Sequence, residues 1–539
     1  MTLTKALPSK TSLWILIPSL LAAALCITPL VYLIIRVSGA DSDIWEWLIR
    51  TRTLMVFARS ILLAISVTLL SLIIAVPITW FTTRTNMPYR KLWSVLTFLP
   101  LVIPSYVGAY IVLSFVGKGG LLYDILNPLL GVDGIPTMYG FYGSLLTLSF
   151  LSYPYIILTI RSNISSVDIS GEETAMLMGL NKFQTFIKVT IPSIKSAIYS
   201  GSLLVALYTL SDFGAVSLLR YKTFTWSIFN QYEAGFDRNT AALLSLALFV
   251  LATLFMAFEI FLRGNKKYYK NSSAASRRLP IIDIGVWKWP AAGFCALVSL
   301  ISVVIPLLVL LYWLVRGLYF GEDATTLTAE SNHILAFNSI TLSTLTAALV
   351  VALSLPVGYL TVRRPGALTN IIEKMCFTGY ALPSIAVSLS LVFFGAKIGP
   401  PLYQSLLLLV IACAVLYMPT GLGAIRSSMT QISPRYEESS MTLGKSKITS
   451  AILTNLPLMK SGIIMAAATV FLITMKELPP VLLLAPLDFH TLTTAIWSFT
   501  SEAFFARAAI PSILLIFLSS IPLTMIVLKN NVFNSLGSE

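Results

Sequence analysis

Charge is scarce in this chain. Of its 539 residues only 11% are Asp, Glu, Lys or Arg, against about 25% in soluble domains, while 56% are hydrophobic. Several soluble domains of this total length would need far more polar surface, so a soluble fold is excluded. Cysteine and histidine are almost missing as well. Cys26, Cys295, Cys376 and Cys413 stand singly in apolar stretches, and His333 and His490 are far apart. That scarcity excludes a disulfide framework, a zinc site and Cys/His catalysis, and no metal ligand set is read from the sequence. Acidic residues are the rarer sign, 23 against 37 Lys and Arg, giving a net charge of +14. The bases sit in short loops between apolar runs and form no basic domain. Nucleic-acid binding is therefore not expected, and the charge is an orientation signal.

What is abundant is long apolar sequence. Apolar runs of helix-spanning length, carrying few charges, number about twelve, near 14–36, 58–83, 92–115, 144–160, 197–219, 241–262, 289–315, 337–361, 375–395, 403–425, 461–484 and 506–528. The chain reads as an all-α polytopic membrane protein in contact with lipid. The first run follows Lys5 and Lys10, is long for a signal-peptide core and lacks a small-residue cleavage site, so a retained first helix is expected. With the amino terminus inside, about two-thirds of the Lys and Arg residues fall on the cytoplasmic side. They include Arg263, Lys266, Lys267, Lys270, Arg277 and Arg278, and both termini are then cytoplasmic. The other face receives Asp41, Asp43, Glu46, Glu322, Asp323 and Glu330. In a bacterium that face would be periplasmic.

The chain repeats itself. Pro77 matches Pro356 and Pro104-Ser105 matches Pro383-Ser384 at an offset of 279. Arg161-Ser162, Glu173, Gly179, Pro192 and Asp212 match Arg426-Ser427, Glu438, Gly444, Pro457 and Glu477 at 265, and TFTWSIF from Thr223 matches TLTTAIW from Thr491 at 268. A shared order over about 150 residues marks an internal duplication. The offset change places 14 extra residues of the first half within Gly117 to Gly143. The divisions are 1–262, a basic linker 263–288, and 289–539. Six spans per half is an even number, so the halves run parallel about an axis along the membrane normal and can enclose a central pathway.

Two cytoplasmic loops are long, Arg161 to Ser196 and Arg426 to Lys460. Each reads as a helix opened by acidic residues, a glycine stop, an amphipathic segment and a proline at the start of the next span. Glu173-Thr-Ala-Met-Leu-Met-Gly179 with Ile191-Pro192, and Glu438-Ser-Ser-Met-Thr-Leu-Gly444 with Leu456-Pro457, resemble the Glu-Ala-Ala loop of ABC importer permeases. Thr174 stands in place of one alanine in the first copy, and Ser439 and Ser440 replace both in the second. The resemblance implies the type I ABC importer permease fold and a coupling helix in each loop that docks on a separate ATPase. The residues carried over are Glu173, Ala175, Gly179, Pro192, Glu438, Gly444 and Pro457. Gly444-Lys445-Ser446 imitates the end of a phosphate-binding loop, but the motif's first glycine would fall at Ser439 and no strand precedes it. ATP is therefore expected on a partner chain, with no cofactor bound here and no enzymatic activity of this chain.

LSDFGAVSLLRYKTFTWSIF from Leu210 and MKELPPVLLLAPLDFHTLTTAIW from Met475 resemble the corresponding segments of fused ferric-iron ABC permeases. That likeness implies a bacterial inner-membrane location, a periplasmic iron-binding protein and a cytoplasmic ATPase homodimer as partners. Ferric iron is a hard cation that suits oxygen ligands. The candidates beside the pathway are Asp212, Glu477, Tyr153 and Tyr417, because carboxylates inside spans are costly and functional by default. Permeases for thiamine or another small solute share the fused layout, and a secondary transporter built from parallel repeats is the rival class.

Overall fold

The computed structural model describes residues 13–39, 45–117, 120–130, 138–164, 169–235, 237–263, 281–320 and 329–529. Lys5, Lys10, Asp41, Asp43, Lys266, Lys267, Lys270, Arg277, Arg278, Glu322 and Asp323 lie outside them. Among the described residues the regular structure is helical, and the one β feature is an isolated bridge between Thr85 and Ile282. Hydrocarbon offers the backbone no hydrogen-bond partners, so apolar runs must satisfy their own N–H and C=O groups, and helices do so.

Among the described residues, ten helices are long and apolar enough to cross a bilayer, or up to 12 if each of two bent pairs is one span. The first half supplies Trp14–Ser38, Thr51–Arg84, Ser105–Leu126, Phe141–Asn163, Phe186–Ser211 and Arg238–Leu262 as spans one to six. Gly285–Tyr319, Ser331–Arg363, the bent pair Ala367–Tyr380 and Ser384–Lys397, Leu406–Thr430, the bent pair Ala451–Leu458 and Lys460–Thr474, and Phe505–Thr524 are spans seven to twelve. Spans four and ten are the most buried, at 67% and 72% of their most apolar stretch. Each is the centre of a triad, with spans two and five in the first half and eight and eleven in the second. The first span of each half crosses over: span one packs on spans eight and nine, and span seven packs on spans three and twelve. The halves are thereby interlocked.

Four expected spans are broken inside the apolar run. The run 197–219 ends its helix at Ser211 and restarts as Gly214–Leu218; the run 461–484 ends at Thr474 and restarts as Pro479–Leu484. The runs 92–115 and 375–395 break ahead of Pro104 and Pro383, which precede the helices Ser105–Val116 and Ser384–Lys397. Proline has no N–H to give and forces the preceding residue out of the helical region, and Ile103 is accordingly extended at φ −80, ψ 118. Short π-helical turns occur at Phe186–Thr190, Leu300–Val304 and Ala451–Asn455. Each precedes an Ile-Pro or Leu-Pro pair, and the extra residue per turn re-registers the ladder around the missing donor.

Candidate functional site

The two long loops fold as matching corners. In the first, helix Ile169–Leu177 turns its Glu172 inward, and in the second, helix Pro434–Thr442 turns Glu437 inward. Ala175 and Ser440, three residues on, share those buried faces. Both helices stop at a glycine in the left-handed region, Gly179 at φ +90 and Gly444 at φ +83. The N–H of Leu180 donates to Ala175 O at 3.1 Å, and the N–H of Gly179 to Met176 O at 3.0 Å, which is the bonding of a glycine-terminated helix. A Cβ at either glycine would meet nothing within 4 Å, so the glycines serve backbone conformation and not close packing within this chain.

Each inward glutamate is clamped to the end of a membrane span. Arg84, the last residue of span two, forms a two-point ion pair with Glu172, and the Arg84 side chain is 1% exposed. Thr190, in the π-helical turn, donates to the same carboxylate at 2.6 Å. In the second corner Arg363, the last residue of span eight, lies 3.7 Å from Glu437 through Nε. Tyr359 donates its hydroxyl to Glu437 at 2.5 Å and Asn455, again in the π-helical turn, donates at 3.0 Å. Arg84 and Arg363 are repeat equivalents at the offset 279, and Glu172/Glu437 and Thr190/Asn455 at 265. The Arg84 corner is further tied to the end of the linker, with Ile282 N–H donating to Arg84 O at 2.7 Å and Asn86 to Asp283 at 2.6 Å.

The sequence expectation therefore divides. Glu173 and Glu438 lie on the exposed face, one residue from the buried anchors, while Ala175 is buried. Pro192 and Pro457 are exposed at the start of spans five and eleven, where they follow the π-helical turns that bring Thr190 and Asn455 onto the anchors. Leu177, Met178 and Leu443 project outward beside the glycines at 89%, 81% and 81% exposure. Each corner thus presents an apolar tip and a free-facing glutamate from a base fixed by a buried ion pair.

The second duplicated feature lies where the broken spans meet. Asp212 ends the fifth-span helix, and its Oδ1 accepts from the N–H groups of Ala215 at 3.0 Å and Val216 at 3.4 Å, capping the helix that restarts there. Ser105, just after the Pro104 break, faces the same carboxylate. Glu477 sits at the eleventh-span break, accepts from the Tyr417 hydroxyl and faces Ser384, just after Pro383. Asp212 with Ser105 and Glu477 with Ser384 are equivalents in the two halves. Lys476, within electrostatic reach of Glu477, donates to Leu101 O in the other half at 2.6 Å. Asp212 and Glu477 thus occupy helix breaks, not the interior of continuous spans. Tyr153 is removed from the group: its hydroxyl lies 3.4 Å from Ser302 Oγ in the packed core.

Beyond each break a Thr-x-Thr element opens a further short helix, Phe224–Glu233 and Leu492–Ser501. Ser60 Oγ accepts from Phe224 N–H at 3.0 Å and Ser339 Oγ from Leu492 N–H at 2.9 Å, again equivalents. Thr225 donates to Asp212 O at 2.6 Å, so these helices brace the breaks.

The model of the binding-protein-dependent transport system inner membrane component family matches residues 68–263 and 353–529. The chain belongs to this family. The permease is 30% identical over 527 residues to the Fe(3+)-transport system permease protein FbpB 2 of Haemophilus influenzae, covering 96% of this chain and 99% of that one. It is 22% identical to the ferric transport system permease protein FbpB of Actinobacillus pleuropneumoniae, over 86% and 70% of the two chains. The sulfate transport system permease protein CysW of Synechococcus elongatus is 30% identical over a shorter stretch, 37% of this chain and 75% of that one. The two matched segments of the permease contain both corners and both break carboxylates, and they leave out the crossing first spans of each half.

Proposed function

We propose that this permease is the membrane-spanning subunit of an ABC importer that passes ferric iron from a periplasmic binding protein to the cytoplasm. A separate ATPase homodimer drives it from the cytoplasmic side, where ATP is bound and both termini lie. The observation that carries the reading is the twofold corner, an apolar tip with an exposed glutamate held on a buried arginine–glutamate clamp at the same end of both halves. A secondary transporter has no use for such a pair. The full-length likeness to one ferric permease and the partial likeness to another support iron as the cargo. Carboxylates at both breaks favour a cation over the oxyanions named for the sulfate and molybdate relatives, which cover less of the chain.

The coupling roles follow from exposure. Met178 and Leu443 with Glu173 and Glu438 meet the ATPase, Gly179 and Gly444 shape the tips, and Pro192 and Pro457 with Ala175 keep each corner in register with its span. Closure of the ATPase pair pushes the tips together, and because Arg84 and Arg363 end spans two and eight, the push reaches the triads directly. Motion requires that the tips contact the ATPase differently in its two states. Asp212 and Glu477 line the pathway between the triads. The test is ferric uptake by cells lacking this chain and complemented with wild type or with Asp212→Asn/Glu477→Gln. Wild type restores uptake only together with the ATPase, and the double variant inserts but imports poorly. Uptake without an ATPase, or full uptake by the double variant, would remove the corresponding part of the reading.

A further inference from the structure

The helix breaks gather more oxygen than a lining requires. Three phenols lie by the two carboxylates, and a fourth stands behind them. Tyr417 donates to Glu477, Tyr208 lies against Ser105 and within electrostatic reach of both carboxylates, and Tyr155 lies tilted beside Tyr208 with ring centres 5.6 Å apart. Tyr106, in the first turn after the Pro104 break, is 2% exposed, lies within reach of Glu477, and its hydroxyl has no hydrogen-bond partner among the described residues. A buried hydroxyl without a partner costs about 1–3 kcal/mol and calls for an explanation. Packing does not supply one, since a phenylalanine would fill the same space.

We propose that Asp212, Glu477, Tyr106 and Tyr417 form a transient binding site for a hard trivalent cation at the interface of the two halves, with Tyr155, Tyr208, Ser105 and Ser384 as its polar surround. The inference rests on the ferric reading above and goes beyond it by naming a site inside the membrane. Binding forms iron–oxygen bonds, and each coordinating phenol releases its proton to water in the pathway, with no change of oxidation state. Two phenolates and two carboxylates beside the Lys476 ammonium carry a net charge that matches a trivalent ion, so the loaded site is neutral in a medium where stray charge is costly. The donors come from both halves, Asp212 and Tyr106 from the first and Glu477 and Tyr417 from the second. Movement of the halves apart therefore separates the ligands and releases the ion. Discontinuous helices meeting at a repeat interface are suited to this, because broken backbone is tolerated at membrane depth only where protein or a polar cavity covers it.

The test uses the full permease with its ATPase in lipid nanodiscs, titrated with ferric citrate, beside the same complex in vesicles importing radioactive iron from the loaded binding protein. Coordinated phenolate gives a visible charge-transfer absorption. Wild type should show it, and Tyr106→Phe/Tyr417→Phe, which keeps the ring volumes, should lose it and import about ten- to a hundredfold more slowly while still inserting and retaining the ATPase. Wild type importing iron without the absorption, or the double variant importing at the wild-type rate, would overturn the site and leave the permease reading intact. Absence of ferric import by wild type would overturn the cargo assignment and the site with it.

Discussion

Replacing Glu172 with glutamine keeps the shape and the oxygen facing Thr190 but removes the charge and the second acceptor that hold Arg84. The Thr190 hydroxyl can still donate to the new side-chain oxygen. Arg84 and Glu172 side chains are 1% and 4% exposed, so the small value typical of surface ion pairs does not apply. Removing one partner of a buried pair strands the other charge and costs about 3–5 kcal/mol, or roughly a hundred- to several-thousandfold in the population of the docked corner. Glu437→Gln should cost less, about 1.5–3 kcal/mol, because Arg363 stands 3.7 Å away and the remaining side-chain oxygen still accepts from one of the two donors, Tyr359 and Asn455. Hydrogen exchange of Ile169–Leu177 in nanodiscs reads the effect. Glu172→Gln should exchange far faster than wild type, and ATPase co-purification should fall with it. Arg84→Met/Glu172→Met, with neither charge, should recover most of the protection. Wild-type exchange in Glu172→Gln, or no recovery in the double variant, would refute the clamp.

Gly179→Ala with Gly444→Ala places Cβ atoms in open space but at positive φ, a cost of about 1–2 kcal/mol each. Ferric uptake should fall while membrane insertion persists, and undiminished uptake by a well-expressed protein would contradict the corner assignment. Met178→Glu with Leu443→Glu alters only exposed tips, so stability should stay within about 0.5 kcal/mol while ATPase co-purification drops. Full retention of the ATPase would show that the tips are not its contact. Orientation can be read from Ser272→Cys in a variant without the four native cysteines, which should resist an impermeant thiol reagent in intact cells. Labelling before lysis would invert the topology.

The number of spans and the duplication were legible because hydropathy and repeat order are properties of the chain itself. The helix breaks were not, since the apolar run continues straight through them: LSDFGAVSLL is as hydrophobic after Asp212 as before it, and only the capping bonds to Ala215 and Val216 reveal the restart. Glu173 and Glu438 were read as the defining glutamates because the family spacing selects them. Which of two adjacent glutamates turns inward is decided elsewhere, by Arg84 lying 88 residues before Glu172. A helix rotates about 100° per residue, so neighbours cannot share a face. A signal for the clamp existed, in that Arg84 and Arg363 obey the same repeat offset as Pro77 and Pro356. Tyr153 was expected on the pathway and Tyr155 was overlooked for the same rotational reason. Tyr417 joins the three phenols of the first half only when both halves are assembled.

The central claim is ATP-driven ferric transport through this chain, and reconstitution tests it most directly. Vesicles containing the permease and its ATPase, supplied outside with the iron-loaded binding protein and inside with ATP, should accumulate radioactive ferric iron. An ATPase unable to hydrolyse ATP should abolish the accumulation. Iron entry through the permease without the ATPase, or none with every component present, would contradict the account.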